Sequence, residues 1–291
     1  MNVIGKGAFA KVYYGRSTDK YDKQSYAIKV VENVSKNPKT IHHLANEITL
    51  MQKCKNIENM VRYYDSFKYE ARDEIWMVME YCTCSLQDLV IGQLTEVFIK
   101  LFTRQMLKAL VFLEQMSIVH RDFKSANLLI RVEEEAGTEG TISIKLADFG
   151  LAVAVSGTRS GRSVCGSRFW MSPEMLRNEG YGCKADIWAL GCVLFEMMES
   201  VPPYYEYNSI KAMYYTATKG ASSLKDPLKW SPLLLDFMNS VFQSDPDKRA
   251  SAEQLSKHPW LVEEENVDIG LLLQILKSIT FMRAFDGNIY G

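Results

Sequence analysis

Residues 120–129 read His-Arg-Asp-Phe-Lys-Ser-Ala-Asn-Leu-Leu, and they carry more chemical information than any other part of the chain. Here an acid, two basic side chains and an amide lie between the apolar runs 118–119 and 128–130. This pattern is typical of two short buried strands joined by a polar loop. Because loops held on a rigid scaffold commonly carry function, we expect Asp122, Lys124 and Asn127 to belong to a site.

The composition is that of a folded protein with one large domain or two lobes. The chain has 291 residues, of which 47% are hydrophobic and 24% charged, and its net charge is −1. This balance favours neither nucleic acid nor an anionic membrane as a partner. The six scattered cysteines form no CxxC pair, which indicates free thiols in a reducing compartment rather than a zinc site.

Neither a signal peptide nor a membrane span is expected. The N-terminus lacks the basic region and the apolar core of a signal peptide, although residues preceding this chain could carry one. The most apolar stretch, residues 188–198, is interrupted by Glu196 and is too short to cross a bilayer. We therefore expect a cytoplasmic protein.

Hydrophobic periodicity divides the chain into two parts. Before residue 81, strands are predicted near residues 3–4, 11–14, 25–31, 61–64 and 75–79, with one helix over residues 40–55. This predicts a small antiparallel sheet with one helix. Beyond residue 84, helices are predicted over residues 95–116, 186–199, 232–242 and 252–257, with a strand at 142–147 after an exposed hairpin turn at 133–140.

A glycine turn and a lysine suggest a phosphate site in the first part. Gly5-Lys6-Gly7 lies between two strands, where glycine lets the backbone approach a phosphate and can adopt positive φ. The alternative is an ordinary β-turn, because Ala10 replaces the third glycine of a GxGxxG pattern. Lys29 lies in an apolar strand, where it is either an edge lysine facing solvent or a cation held by Glu47. The glycine turn favours the pair.

Asp148 suggests a metal site in the second part. It ends an apolar strand and is followed by Phe149-Gly150. An aspartate in this position is often only part of a turn. However, Mg²⁺ prefers carboxylate and phosphate oxygens, and Asn127 could supply a second, neutral oxygen. Asp122 is then free to orient a hydroxyl, and Lys124 to stabilise the charge of a phosphate in transfer.

Together these motifs resemble the signature set of eukaryotic protein kinases. The matching segments, in order and spacing from about residue 3 to 261, are 5–12, 27–29, Glu47, 120–127, 148–150, 172–174, 186–191 and Arg249. The resemblance implies an α+β, bilobal kinase fold. Residues 1–80 would form the small antiparallel β-sheet lobe with one helix (N-lobe), and residues 81–84 the hinge. Residues 85–261 would form the larger, mainly α-helical lobe (C-lobe), with the activation segment at 148–174, followed by a helical tail at 262–291.

The resemblance also implies a serine/threonine protein kinase that uses ATP and Mg²⁺ and acts on a protein substrate. Lys29, paired with Glu47, would hold the α- and β-phosphates, and Lys124 would contact the γ-phosphate. Asp148 and Asn127 would bind Mg²⁺, and Asp122 would accept or orient the proton of the substrate hydroxyl. The remaining nucleotide-binding residues would be Ile4, Gly5, Gly7, Val12, Ala27, Met79, Glu80, Cys82 and Leu129. Of these, Glu80 and Cys82 would bind the adenine through backbone groups.

Residues 166–174, GSRFWMSPE, resemble the peptide-binding segment of the STE group of kinases. NEK-like and mixed-lineage kinases are similar in this region and remain alternatives. Ser167 stands where threonine is usual, and its hydroxyl would reach Asp122 and Lys124. Lysine at position 124 resembles serine/threonine rather than tyrosine kinases.

The resemblance further implies control through the activation segment. Arg121 would bind a phosphate placed there by an upstream kinase or by self-phosphorylation. The candidate positions are Thr158, Ser160 and Ser163, and spacing favours Ser163, with Arg159 and Arg162 nearby. The alternative is an unmodified, mobile loop.

Two other functions are less consistent with these motifs. A pseudokinase scaffold would be expected to lack Lys29, Asp122 or Asp148, and all three are present. A metabolic kinase is disfavoured by the peptide-binding segment.

Apolar residues at helical spacing in 266–285 are expected to pack on the chain's own domain or to offer a docking or dimer contact. From the position of Gly5 we expect either an excised catalytic domain or a chain that lacks its first strand residues.

Overall fold

The structure is a computed structural model that describes residues 2–6, 10–22, 24–36, 38–92, 94–133, 140–156, 159–262 and 267–289. Gly7, Thr158 and residue 266, on which expectations were placed above, lie outside these ranges, as does most of the predicted turn at 133–140. None of the helices in the described ranges has both the length and the hydropathy needed to span a membrane.

The N-lobe is a five-stranded antiparallel sheet in the order β1-β2-β3-β5-β4, with one α-helix. Its elements are β1 (Asn2–Lys6), β2 (Ala10–Arg16), β3 (Ser25–Glu32), α1 (Pro38–Cys54), β4 (Tyr63–Tyr69) and β5 (Glu74–Glu80). Strand β3 is central, and Ala27, Val30 and Val31 in it are buried. Helix α1 buries Leu44, Glu47 and Met51, which lie three and four residues apart and therefore on one face.

The C-lobe is mainly helical. Its helices are α2 (Leu86–Leu89), α3 (Glu96–Gln115), α4 (Pro173–Leu176), α5 (Lys184–Glu199), α6 (Ser209–Lys219), α7 (Pro232–Val241), α8 (Ala252–Ser256) and α9 (Pro259–Val262). Its short strands are β6 (Cys84–Ser85), β7 (Ile118–Val119), β8 (Leu128–Glu133), β9 (Thr141–Leu146) and β10 (Val153–Ala154). Helix α5 is apolar on all sides and buried along almost its whole length, so it forms the centre of this lobe. The expected bilobal architecture is confirmed.

Helix α6 was not predicted from the sequence. The stretch from Tyr204 to Tyr215 is rich in tyrosine, which disguises the helical periodicity. A local signal does exist, because the Asn208 side chain accepts a hydrogen bond from the backbone N–H of Lys211 at 3.0 Å. This is an N-cap, and asparagine is among the residues preferred there.

The C-terminal tail forms helix α10 (Ile269–Ile289), which packs against α2 and β9. Leu272, Leu276 and Ile279 on one of its faces are buried. The apolar face considered for docking therefore packs on the chain's own C-lobe. A dimer contact through this segment would have to use other residues, such as the exposed Leu271 and Phe281.

Candidate active site

The loop that contains residues 120–127 is attached to the centre of the C-lobe. The backbone N–H groups of His120 and Arg121 donate to the Asp186 carboxylate at 2.7 and 3.0 Å. Asp186 lies in the first turn of α5 and is only 3% exposed. Arg121 has a φ of 68°, a left-handed conformation that costs a non-glycine residue energy and that the two hydrogen bonds help to hold. Asp186 was expected only as one of the family's sequence markers, and its supporting role was not predicted.

The structure brings Asp122, Lys124, Asn127 and Ser167 together, as expected. Lys124 Nζ lies 2.8 Å from Asp122 Oδ2 and 2.7 Å from Ser167 Oγ. Ser167 donates through its hydroxyl to Asp122 Oδ1 at 2.7 Å and through its backbone N–H at 3.0 Å. The Asn127 amide donates to the backbone oxygen and to Oδ2 of Asp122, each at 2.9 Å. The carboxylate is thus fixed from three sides, which suits a group that must orient a hydroxyl.

Gly166 allows residues 166–174 to approach the loop that contains Asp122. Its φ is 113°, and a Cβ atom built on it would lie 2.2 Å from the backbone oxygen of Arg121. Any side chain at this position would therefore push the segment away and separate Ser167 from Asp122. This glycine is needed for a close backbone contact that spacing in the sequence does not reveal.

Lys29 connects the N-lobe sheet with helix α1 and with Asp148 of the C-lobe. Its Nζ lies 2.5 Å from Glu47 Oε1 and 3.3 Å from Asp148 Oδ1. The side chains of Lys29 and Glu47 are 17% and 6% exposed, so the alternative of an edge lysine facing solvent is ruled out. Asp148 adopts a left-handed backbone with a φ of 64°. A Cβ on Gly150 would lie 3.3 Å from Asp148 Oδ1, so a side chain there would crowd the carboxylate.

The electrostatics of this cluster favour a charged lysine and a charged aspartate. Burial alone would lower the pKa of Lys29, but attraction by Glu47 and Asp148 outweighs it and raises that pKa. Burial would likewise raise the pKa of Asp148, but the charge and the hydrogen bond of Lys29, together with smaller contributions from other neighbours, outweigh burial and lower that pKa. Asp148 is therefore an anion at neutral pH, which is the form that a metal ion requires.

Asn127 and Asp148 have the donor chemistry that Mg²⁺ prefers. Because the Nδ2 of Asn127 is used by Asp122, its amide oxygen is the atom left for a cation. Asp148 keeps a side chain that is 49% exposed. No group of three or more His, Cys, Asp or Glu side chains suited to a metal occurs within the described ranges. Two protein oxygens leave most of the octahedral shell of Mg²⁺ to phosphate and water, as is usual for this ion at nucleotides.

Most of the residues expected around the adenine lie on neighbouring strands of the N-lobe sheet. In the N-lobe sheet, Val12 is opposite Lys29 and Ala27 is opposite Met79, so these side chains follow neighbouring strands. Leu129 lies in β8 of the C-lobe. Ile4 is 44% exposed in β1.

The backbone at Gly5 and at Cys82 bears on two expectations about nucleotide binding. The positive φ considered for the glycine turn is not seen at Gly5, and a Cβ there would make an ordinary 3.6 Å contact with Val12. The fold itself therefore does not require the absence of a side chain at Gly5. Within the described chain, the backbone of Cys82 makes no hydrogen bond, so its N–H and C=O are not used by the fold itself.

Arg121 reaches one of the three residues proposed as phosphorylation positions. Its Nη1 lies 2.5 Å from Ser163 Oγ and 3.1 Å from the hydroxyl of Tyr181, which in turn donates to the Ser163 backbone oxygen at 2.9 Å. Ser160 instead accepts a hydrogen bond from the backbone of Ser156 at 3.0 Å. The sulfur of the partly exposed Cys165 lies 4.0 Å from Ser163 Oγ.

Tyr181 holds this part of the activation segment. Its backbone forms two hydrogen bonds with Gly161, each 3.0 Å long, and a Cβ on that glycine would lie 2.4 Å from the Tyr181 ring. Tyr181 was not predicted as part of this segment, because nothing local in the sequence links it to Arg121. Arg159, which was expected beside Ser163, instead forms an ion pair with Asp247 at 2.7 Å.

The comparison with known families agrees with this geometry. The model of the protein kinase domain matches residues 1–261. The chain belongs to the protein kinase domain family. It is 39% identical over 261 residues to the mouse serine/threonine-protein kinase PAK 1, covering 89% of this chain and 45% of the mouse protein.

Two Dictyostelium discoideum kinases are also similar to it. The probable serine/threonine-protein kinase mkcC is 38% identical over 265 residues, which cover 90% of this chain and 28% of that protein. The serine/threonine-protein kinase pakH is 34% identical over 262 residues, which cover 89% and 48%. The chain thus spans less than half the length of each of these relatives.

Proposed function

We propose that this kinase domain is a serine/threonine protein kinase that transfers the γ-phosphate of Mg-ATP to a protein hydroxyl. The observation that carries the proposal is the contact of Lys29 with both Glu47 and Asp148. It connects the sheet, the helix of the N-lobe and the metal-binding aspartate of the C-lobe around one cation. The catalytic carboxylate of Asp122 and its neighbour Lys124 complete the site. The similarity to kinases named as serine/threonine enzymes supports the class of acceptor.

The residues of the chain divide the work of phosphoryl transfer among them. Asp122 orients the substrate hydroxyl and accepts its proton as the hydroxyl oxygen bonds to the γ-phosphorus and the bond to the β-phosphate oxygen breaks. Lys124 stabilises the charge on the γ-phosphate oxygens, and Lys29 positions the α- and β-phosphates. Asn127 and Asp148 would hold Mg²⁺, which when bound supplies neutralisation of phosphate charge. Catalysis of this kind is mainly positioning and electrostatic stabilisation.

The test is a transfer assay with Mg-ATP and a mixed peptide array, followed by phosphoamino-acid analysis. Asp122→Asn should lower the rate at least about a hundredfold, because the amide cannot accept the proton. It should leave nucleotide binding unchanged. The matched control is Asp65→Asn, the same change at an exposed residue of β4. Nucleotide binding without transfer by the wild-type protein would favour a pseudokinase scaffold, and phosphotyrosine products would contradict the proposed acceptor class.

We further propose that phosphorylation of Ser163 controls the activity. The support is the direct contact of its hydroxyl with Arg121, next to Asp122 in the catalytic loop. A phosphate there would form charge-assisted hydrogen bonds with the guanidinium and fix the segment. Either an upstream kinase or the chain itself would add it. Membership of the STE group and a cytoplasmic location stay predictions from the sequence.

A further inference from the structure

The side chain of Glu80 has no part in the mechanism above, which uses only the backbone of this residue. Glu80 is the last residue of β5, directly before the hinge, and its side chain is 2% exposed. A carboxylate this deeply buried is costly unless charges and hydrogen bonds compensate for its lost hydration. Its partners therefore indicate why an acid occupies this position.

Those partners come from both lobes. In the N-lobe, the backbone N–H of Arg62 donates to Glu80 Oε1 at 2.6 Å. In the C-lobe, Arg131 Nη1 on β8 lies 2.5 Å from Oε2, and Lys145 Nζ on β9 lies 3.8 Å from Oε1. Lys145 also donates to the backbone oxygen of Glu58 at 2.5 Å. One carboxylate thus connects the hinge with the segment before β4 and with the β8–β9 hairpin.

The attachment to Arg62 fixes the backbone as well as the side chain. The N–H of Glu80 donates to the Arg62 backbone oxygen at 2.9 Å, while the N–H of Arg62 donates to the Glu80 carboxylate. This reciprocal pair fixes the orientation of the peptide group that enters the hinge. On the other side of the hinge, the N–H of Thr83 donates to the backbone oxygen of Ile130 at 2.8 Å, one residue before Arg131.

We propose that the side chain of Glu80 is a positioning residue for nucleotide binding. It holds the hinge between the lobes so that the backbone groups of Glu80 and Cys82 meet the adenine edge. The inference rests on the proposed function, since it takes an adenine nucleotide as the ligand. Glu80 acts on the affinity for the nucleotide, and the phosphoryl transfer step in the saturated enzyme depends on other residues.

The structure offers a matched control on the same arginine. Arg131 Nη2 contacts Glu133 at 2.6 Å, and Glu133 is 54% exposed. Glu80→Gln and Glu133→Gln therefore each remove one negatively charged partner of Arg131, but only the first change affects the hinge. The glutamine at position 80 can still accept from Arg62 N–H, so the fold is kept while the charge-assisted bond to Arg131 is weakened.

The experiment measures the Kd of Mg-ADP by calorimetry, together with KM for ATP, kcat and Tm. Glu80→Gln and Arg131→Met should each raise Kd and KM by about fivefold or more, as expected when one charge-assisted bond is lost. Arg131→Lys, which keeps the charge, should recover part of this loss. The kcat at saturating ATP should stay within twofold, and Glu133→Gln should change none of these values beyond twofold.

Several outcomes would overturn the inference. If Tm falls but Kd and KM do not change, the Glu80 side chain has only a structural role. If kcat falls while Kd is constant, it acts on the transfer step. A wild-type chain that binds Mg-ADP but transfers no phosphate refutes the proposed function alone, because the Kd comparison still decides the role of Glu80. Absence of nucleotide binding by the wild type refutes both.

Discussion

Removal of Arg249 should destabilise the C-lobe more than any exposed charge would. Arg249 and Glu174 are 0% and 1% exposed and form a bidentate pair with distances of 2.8 and 3.0 Å. The guanidinium also donates to the backbone oxygens of Lys184 at 2.6 Å and Gln243 at 3.0 Å, and it lies 5.2 Å from the ring centroid of Trp188. Arg249→Met would leave a carboxylate and two carbonyl groups buried without their donor.

The expected loss is large for a single substitution. Breaking a buried ion pair by removing one partner typically costs about 3–5 kcal/mol, against a total stability of roughly 5–15 kcal/mol for a folded domain. Because Glu174 ends the peptide-binding segment, substrate affinity should fall as well. Urea unfolding is the appropriate assay, followed by the fluorescence of the tryptophans, of which only Trp76 lies in the N-lobe.

The control is Lys257→Met. Lys257 pairs with Glu253 at a similar distance of 2.7 Å, but their side chains are 72% and 65% exposed. Water screens such a pair, so no measurable change in the urea midpoint is expected. If Arg249→Met shifts the midpoint no more than Lys257→Met does, the reasoning from burial is wrong.

Three further predictions follow from named contacts. Ser163→Ala should lower peptide phosphorylation by about tenfold relative to phosphorylated wild type. It should cause no loss when compared in an Arg121→Ala background or with wild type that has been treated with phosphatase. Equal losses in all comparisons would contradict control through Arg121. Burial raises the pKa of Glu196 from 4.5 to about 7 despite the hydrogen bond from Ser125. Because the pKa of Glu196 is higher in the folded than in the unfolded state, the contribution of this group to stability is lost as the pH rises from about 4.5 to about 7. Over that range Glu196→Gln should therefore become more stable relative to wild type, as measured by urea unfolding at each pH. A difference in unfolding free energy that does not change with pH would contradict this. Leu276→Asp should lower Tm and Leu271→Asp should not, if α10 belongs to the folded domain, because these residues are 1% and 46% exposed.

Much of the candidate site could be predicted from the sequence because its functional residues occur in short, recognisable segments. The catalytic loop, Lys29 and Asp148 each stand out locally, by charge density or by an ionisable group in or at the end of an apolar strand. Their assembly into one cluster was expected from the resemblance to protein kinases. The pairing of Lys29 with Glu47, which are 18 residues apart, was expected because a lysine in an apolar strand needs a carboxylate and a glycine turn lies upstream; it is confirmed by their 2.5 Å contact.

The missed features depend on contacts between distant residues. Asp186 supports a loop 65 residues earlier in the chain, and Glu80 meets Arg131 across 51 residues. The left-handed backbones of Arg121 and Asp148 likewise have no local cause, since neither residue is a glycine. They are imposed by the packing and hydrogen bonding of both lobes, which a pattern of residue types does not contain.

The chemical environment of the cysteines makes the activation segment accessible to a spectroscopic label. Cys54, Cys84 and Cys192 are buried, and burial raises the pKa of the Cys82 thiol above its usual value and that of Cys183 to about 12. Burial shields the first three thiols from alkylating reagents, and the raised pKa keeps the Cys82 and Cys183 thiols protonated and slow to react at neutral pH. Cys165 is partly exposed and lies 4.0 Å from the Ser163 hydroxyl. A fluorophore coupled there would sit beside the residue that we expect to be phosphorylated, and its emission would follow the arrival of the phosphate in real time without any engineered cysteine.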